Sequence, residues 1–320
     1  VSIGAPAPVL VDPDRRALAA PRPVEAPGRL PFRMRALIPW AFLVPGLVLG
    51  ALFKFLPMLD GIRMSFVKVQ PFLGDRFVGL DNYARVLRDP RFTEALGHTV
   101  LLGVGQTVGA LIVGSALALL LEGTSRRLWF VRTAVFLPVV TALAVVGEIW
   151  RILYFPTETG FLNSLLGAVG ILPQQFISDP STALGYVMLV GIWTGAPYNM
   201  VIILAGLTGI DRTLYEAAAV DGVTMRQRFR YIVLPALRPA VSVVLTLAAI
   251  RSLRTFTEVY VLTGGGPAGS TEVWMTRVFS LGFKANDLGV ASAASVLLLV
   301  ATLALTVGVR ALSSRKEKVQ

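Results

Sequence analysis

Six long stretches of this chain carry no formal charge, and that pattern restricts its fold more than any other feature. They run from Ala36 to Phe53, Ala95 to Leu121, Thr133 to Gly147, Ser181 to Ile210, Pro239 to Ile250 and Leu288 to Val309. The last holds 22 residues; as a helix rising ~1.5 Å per residue it reaches roughly 33 Å, enough to cross a bilayer core of ~30 Å. Four of the six are long enough to span as they stand. The third and fifth are interrupted, by Glu148 and Arg151 and by Arg251, Arg254 and Glu258, but apolar sequence resumes after each interruption. Extended to about 134–154 and 238–262, they too are long enough. The expected fold is therefore all-α, a polytopic membrane protein with six transmembrane helices.

Composition points the same way. With 54% hydrophobic and 15% charged residues, the chain has too little polar surface to be a soluble domain of this length. The segment 1–35 is rich in Pro and Ala and lacks an apolar core of the signal-peptide kind, so it reads as a disordered cytoplasmic N-terminal tail. A six-helix transmembrane domain at 36–312 follows, and 313–320 reads as a cytoplasmic C-terminal tail. With no cysteine and one histidine, neither a metal centre nor a thiolate or histidine catalytic site is expected, and no catalytic residue is assigned. His98 reads as a polar residue at the start of the second span.

The net charge of +11 orients the spans. With the N-terminus inside, the segments 1–36, 122–133, 209–238 and 310–320 hold 18 Lys and Arg against 8 acids. Nearly all of the basic excess then lies on one side, which the positive-inside rule assigns to the cytoplasm. The 54–91 loop, with seven basic residues, is an external exception. The expected location is a bacterial inner (plasma) membrane, multi-pass, with both termini cytoplasmic. Nucleic-acid binding would need those charges gathered on one accessible face within a recognisable module, and neither is visible.

The longest cytoplasmic connection, about 209–239, carries the most information. Thr213 and Glu216 form an S/T-x-x-E capping box, predicting a short helix from about Leu214. Asp221-Gly222 ends it, because Gly readily takes a positive φ. A second helix is expected from about Thr224 to Tyr231, stopping before Pro235. The product is an elbow lying parallel to the membrane, with Tyr215, Phe229 and Ile232 as an apolar face. On residue properties alone, an amphipathic helix resting on lipid headgroups fits as well as a protein-docking element.

Glu216-Ala217-Ala218, three residues, Gly222, nine residues, Ile232, one residue, Leu234-Pro235 resembles the EAA loop of permease subunits in binding-protein-dependent ABC importers. Phe77-Val78-Gly79-Leu80-Asp81-Asn82-Tyr83, Arg132 through Leu137-Pro138, Trp193, Phe256 and Thr263-Gly264-Gly265-Gly266-Pro267 are similar to the carbohydrate-uptake branch, the maltose-type and glycerol-phosphate-type permeases. The likeness covers roughly residues 35–312. It implies the type I ABC importer permease fold and a chain that performs no covalent chemistry. The implied partners are a second homologous permease, two cytoplasmic ATPase subunits, an extracytoplasmic solute-binding protein and membrane lipid, with no nucleic acid. It implies no cofactor on this chain, ATP and Mg residing on the ATPase. It also implies that the loop, through Tyr215, Glu216, Ala217, Ala218, Asp221, Gly222, Phe229, Ile232, Leu234 and Pro235, fits a cleft on the ATPase and carries its power stroke.

Gly264-Gly265-Gly266 does not make a phosphate loop, since no G-x-x-x-x-G-K-[ST] occurs; it reads as a flexible external turn. Arg251, Arg254, Thr255 and Glu258, at i, i+3, i+4 and i+7 of the fifth span, share one helical face. Charges at a bilayer centre cost roughly 2.5 to 3.5 kcal/mol each, so that face turns into the bundle. Two readings stay open there, an Arg254 to Glu258 ion pair or a wet translocation path with Glu148 and Arg151 as partners. Trp150, Trp193, Tyr198, Asn199 and Phe256 are candidates for a sugar site, against the plainer reading of interfacial anchors. A neutral sugar, oligosaccharide or polyol is favoured as solute because Glu148 and Glu258 can neutralise two of the three arginines. The alternatives are glycerol 3-phosphate or glycerophosphodiesters and, in another class, an ion-gradient secondary transporter, which inverted repeats and discontinuous helices would mark.

Overall fold

The computed structural model of the protein describes residues 32–70, 74–123 and 125–317 and forms two units, one up to Met58 and one from Leu59. The expected N-terminal tail lies outside the described residues as far as residue 31; from Phe32 the chain is helical. The first unit is helix α1 (Phe32–Gly50) followed by a π-helical turn, Ala51–Phe55. Its Trp40, Phe42, Leu47 and Phe53 are all exposed, and a helix apolar on every side is one built for lipid or for burial by partners. Helix α2 (Leu56–Met64) crosses the boundary between the units.

The second unit opens with a two-stranded antiparallel hairpin, β1 (Val67–Lys68) and β2 (Arg76–Phe77), and helix α3 (Asp81–Arg88). The Phe77–Tyr83 motif is a structural staple here. The Asn82 amide donates to the carbonyls of Ser65 at 3.0 Å and Val67 at 2.9 Å, and the hydroxyls of Ser65 and Tyr83 are 2.6 Å apart. Asp89 then caps helix α4 (Pro90–Leu120), accepting from the Arg91 N–H at 3.1 Å. Pro90 occupies the first turn, where a missing N–H costs nothing.

After α4 come α5 (Arg126–Val140), α6 (Leu143–Leu153), α7 (Phe161–Ala168) and the long α8 (Ala183–Thr208). Arg132 of α5 clamps the end of α4, its Nε donating to the Leu121 carbonyl at 2.9 Å and an amino nitrogen donating to Leu121 and Gly123. A cation that satisfies the last carbonyls of a helix stabilises its negative end. The elbow helices α9 (Arg212–Val220), α10 (Met225–Arg228) and α11 (Leu234–Ala236) lead into α12 (Arg238–Ser252) and α13 (Thr257–Leu262). Helices α14 (Trp274–Phe279) and α15 (Leu288–Glu317) complete the unit.

Helices α4 and α8 are its spine. Their axes approach closely because α4 offers glycine where α8 offers bulk: a Cβ on Gly105 would meet Met188 at 2.4 Å, one on Gly109 would meet Ile192 at 2.3 Å, and one on Gly114 would lie 2.6 Å from the Ala196 carbonyl. Without a hydrophobic driving force between helices in lipid, such small-residue contacts supply the packing. Two apolar clusters follow one another along the spine, one around Leu102, Val187, Val190 and Val259 and one around Met200, Ile203, Leu207 and Val233.

Four spans are uninterrupted, Pro39–Met64, Pro90–Leu120, Ala183–Thr208 and Leu288–Gly308. The other two are broken, which corrects the expectation of plain helices at 134–154 and 238–262. Helices α5 and α6 meet at 99°. The Thr141 hydroxyl takes the Leu137 carbonyl at 3.0 Å, and Thr141 and Ala142 have extended backbone. The fifth span stops at Ser252 and resumes at Thr257. There the hydroxyls of Ser252 and Thr255 bond the carbonyls of Ala249 and Ser252, both at 3.0 Å, so side chains compete with the helix ladder. His98 is likewise not at a helix start: it lies more than two turns inside α4, with Nδ1 2.9 Å from the Glu272 carbonyl oxygen.

Candidate functional site

Both breaks face one cavity of about 500 Å³. Its walls are α4 (Gln106, Thr107), the α5–α6 corner (Pro138, Thr141), α8 (Thr194, Tyr198, Asn199) and the broken fifth span from Arg251 to Glu258. In a bilayer, backbone outside a helix persists only where protein or a water-filled cavity satisfies it, and both breaks lie against this one cavity. Discontinuity of this kind is thus shared by the ion-gradient class and this chain and does not separate them.

Of the nine residues proposed from sequence for the path, Asn199, Arg251, Arg254, Thr255 and Glu258 line this cavity, as do Tyr198 and Phe256. They meet there by a different route from the one expected. The break at 253–256 removes the continuous helical face: Arg251 precedes it, Arg254 lies within it and Glu258 follows it. Among the described residues no ion pair joins Arg254 to Glu258. Glu258 instead accepts a hydrogen bond of 2.7 Å from the Gln106 amide of α4, and Gln106 reaches it by lying across Gly191, where a Cβ would come within 2.1 Å of that amide nitrogen. Arg251 is held over the Tyr198 ring, its guanidinium carbon 4.6 Å from the centroid.

Glu148, Trp150, Arg151 and Trp193 do not line the cavity. Glu148 and Arg151 pair with each other along α6 at 2.7 Å, both largely exposed, and so are not partners of the fifth-span arginines. Trp150 packs edge-on against Trp193 at 5.5 Å and against Tyr154 at 5.1 Å, which is aromatic packing between α6 and α8. Gln106 is the residue that sequence reading missed. Its signal was present: a lone amide within an otherwise uncharged apolar run.

The elbow folds as two short helices hinged at Gly222, whose φ is +68°. The Val223 N–H returns to the Ala218 carbonyl at 3.0 Å and the Gly222 N–H to that of Ala219 at 3.3 Å, a turn that needs the left-handed conformation glycine adopts without strain. The first cap differs from the expected Thr213–Glu216 box. Asp211 accepts from the Thr213 N–H at 2.9 Å and α9 begins at Arg212; that bond holds the Asp211 carboxyl below its ordinary pKa. The capping box is in the second helix, between Thr224 and Gln227. Nor does that helix stop before Pro235. A π-helical turn at Phe229–Val233, with the Leu234 N–H bonded to the Phe229 carbonyl, carries it into α11, so proline's missing donor falls at the handover between the two ladders.

Tyr215 and Ile232 turn inward, packing on the cluster around Leu207 and Val233. Tyr215 also carries the Arg228 guanidinium 5.0 Å from its ring centre; burial and the charge of Glu122 raise the phenol pKa, with Arg228 opposing. Leu214, Val220, Met225 and Tyr231 are left exposed, while Glu216 is exposed on the outer side of α9. Ala217, Asp221 and Gln227 help line a groove of about 300 Å³ between the two arms. From the groove, α10, the π turn and α11 run through a 59° bend into α12, which ends at the cavity.

The Gly264–Gly266 turn is hydrogen-bonded in place. The buried Thr271 hydroxyl donates to the Gly266 carbonyl at 2.7 Å and lies 2.7 Å from the Thr263 hydroxyl.

Comparison with known proteins matches residues 110–318 to the family described as binding-protein-dependent transport system inner membrane component. The trehalose/maltose transport system permease protein MalF of Thermococcus litoralis is 32% identical over 273 residues, covering 85% of this chain and 92% of that protein. The sn-glycerol-3-phosphate transport system permease protein UgpA of Brucella abortus is 34% identical over 272 residues, covering 84% and 92%. A chain in the crystal structure of a bacterial ABC transporter involved in the import of the acidic polysaccharide alginate superposes with a TM-score of 0.77 at 25% identity, covering 88% of this chain and 96% of that one.

Proposed function

The chain belongs to the family of binding-protein-dependent transport system inner membrane components, and from that premise we propose that it is one membrane half of an ATP-driven importer for a carbohydrate or carbohydrate-derived polyol. The trehalose/maltose, glycerol-phosphate and alginate systems that it resembles all carry such solutes. A second, homologous permease completes the pathway, two ATPase subunits hold ATP and Mg and hydrolyse the nucleotide, and an extracytoplasmic binding protein delivers the solute. Both termini and the elbow lie in the cytoplasm, as the distribution of basic residues favours.

One observation carries this reading: the exposed groove of the elbow and the cavity are joined by consecutive helical segments, Met225–Ala236 and Arg238–Ser252, that meet at a 59° bend. Closure of the ATPase dimer pulls the elbow, α12 transmits the displacement, and the break at 253–256 reshapes the cavity wall, so that access alternates between the two sides. Exposed Val220, Met225 and Tyr231 supply the apolar contact to the ATPase cleft, with Glu216 beside them as its charged member. Tyr215 and Ile232, facing the bundle, anchor the elbow to it. No covalent step on this chain is required.

The test is solute uptake by proteoliposomes holding the complete importer. Uptake is expected to require the ATPase subunit and to be abolished by Gly222→Pro, which the hinge's φ of +68° excludes, and by Glu216→Lys, while both variants still insert in the membrane. Uptake that persists without the ATPase and follows an ion gradient instead would reject the proposal in favour of a secondary transporter.

A further inference from the structure

Among the described residues, more basic than acidic side chains line the cavity. Arg251 and Arg254 both border it, and neither is in an ion pair among the described residues. From every element that walls the cavity, one acidic side chain faces it, Glu258, and that carboxylate is engaged by Gln106 at 2.7 Å. Glu148, the other acid near the third span, is taken by Arg151 outside the cavity. Of the two neutralisations expected from the sequence, Glu148 takes Arg151 outside the cavity and Glu258 is in an ion pair with neither Arg251 nor Arg254, so two guanidinium groups face one carboxylate there.

A guanidinium in the membrane interior is costly to insert, and one left without a carboxylate partner is retained most readily where an anion is its transient partner. Arginine's planar fork matches carboxylate and phosphate oxygens in two parallel hydrogen bonds. Arg251 is already oriented, its guanidinium held over Tyr198 at 4.6 Å, so little ordering is lost when an oxyanion arrives. Around the pair, Asn199, Thr194, Thr255 and Thr257 offer amide and hydroxyl groups suited to sugar or polyol hydroxyls, and Phe256 offers a flat apolar face.

Resting on the importer reading above, we propose that the solute is an anionic carbohydrate or polyol, bearing a carboxylate or phosphate that Arg251 and Arg254 accept during passage, and not a neutral sugar. Carboxylate and phosphate share this chemistry, and matched pairs separate them: galacturonate oligomers against galactose oligomers, and glycerol 3-phosphate against glycerol.

The experiment uses the complete importer in proteoliposomes, with the four radiolabelled probes and ATP inside. ATP-dependent uptake of at least one anionic probe should exceed that of its neutral counterpart at least tenfold. Arg251→Gln with Arg254→Gln should lower that uptake at least tenfold, with Arg251→Lys and Arg254→Lys retaining more of it. Equal or better uptake of the neutral members, unchanged anion uptake by the double glutamine variant, or equal loss of both classes in that variant would each overturn the inference. Should the variant fail to assemble, thermal melting of the partner solute-binding protein decides: the anionic member of a pair should raise its melting temperature where the neutral one does not, and the reverse overturns the inference. ATP-dependent uptake confined to neutral sugars leaves the importer reading standing while this inference falls; no ATP-dependent uptake of any probe overturns both.

Discussion

At the scale of single residues, the α4 N-terminal end of the bundle depends on a few polar contacts that hydropathy does not reveal. Arg277 of α14, whose side chain is 12% exposed, bonds Asp89 at 2.8 Å, and Asp89 is also the cap of α4. Burial works against ionisation of Asp89, but the Arg277 hydrogen bond and the Arg91 N–H outweigh it and hold the carboxyl below its ordinary value. A depressed folded-state pKa means stabilisation that is complete above the unfolded value of about 3.9 and is lost as pH falls through the folded one. Asp89→Asn should therefore cost about 1 to 3 kcal/mol at neutral pH. Melting of the detergent-solubilised protein should show the two proteins differing equally at pH 7 and pH 5 and converging only in stronger acid; convergence already at pH 5 would mean that Asp89 does not act as the charged cap. The same scale shows what a linear reading loses. Asp89, Asp211 and Thr224 are each plausible caps by type, yet selecting Asp211 over Thr213 for α9 depended on backbone direction that spacing does not encode.

At the scale of elements, four spans were legible because uninterrupted apolar length is a one-dimensional property. The hinge at Asp221-Gly222 was legible because few residues besides glycine take a positive φ. The breaks in the third and fifth spans were not. They arise from hydroxyls of Thr141, Ser252 and Thr255 that find carbonyl partners locally, and Ser and Thr do the same on intact helices, as Thr99 does with Ala95 within α4. Reading 251–258 as one helix placed Arg251, Arg254, Thr255 and Glu258 on a continuous face that the structure does not have, and it missed Gln106, which reaches Glu258 because α4 lies beside that break. The close contact of α4 with α8 yields a separate prediction. Gly114→Leu forces a side chain into the Ala196 carbonyl, where even a Cβ has 2.6 Å. Overpacking of this kind costs about 1 to 3 kcal/mol or more, so the variant should melt several degrees lower, whereas Gly167→Leu, with open space at its Cβ, should melt as wild type. Equal melting of the two variants would remove the small-residue contact as the basis of the spine.

At the scale of the whole molecule, the elbow carries five arginines, Arg212, Arg226, Arg228, Arg230 and Arg238, against the three acids Asp211, Glu216 and Asp221. The cavity lies at the far end of the helix that the elbow feeds. Family membership follows from the matched residues 110–318, a range that contains the elbow and both arms of the fifth span. The account's central claim is that these two places are mechanically one, and the lack of native cysteines makes that measurable. A single Thr255→Cys substitution puts a thiol in the cavity wall, and its reaction with a membrane-impermeant maleimide from the external side can be timed in the reconstituted importer, with and without ATP. Labelling should quicken on ATP binding when the elbow is intact and become indifferent to ATP when Gly222→Pro is added. An ATP response that survives Gly222→Pro unchanged, or labelling indifferent to ATP even with the intact elbow, would contradict the claim.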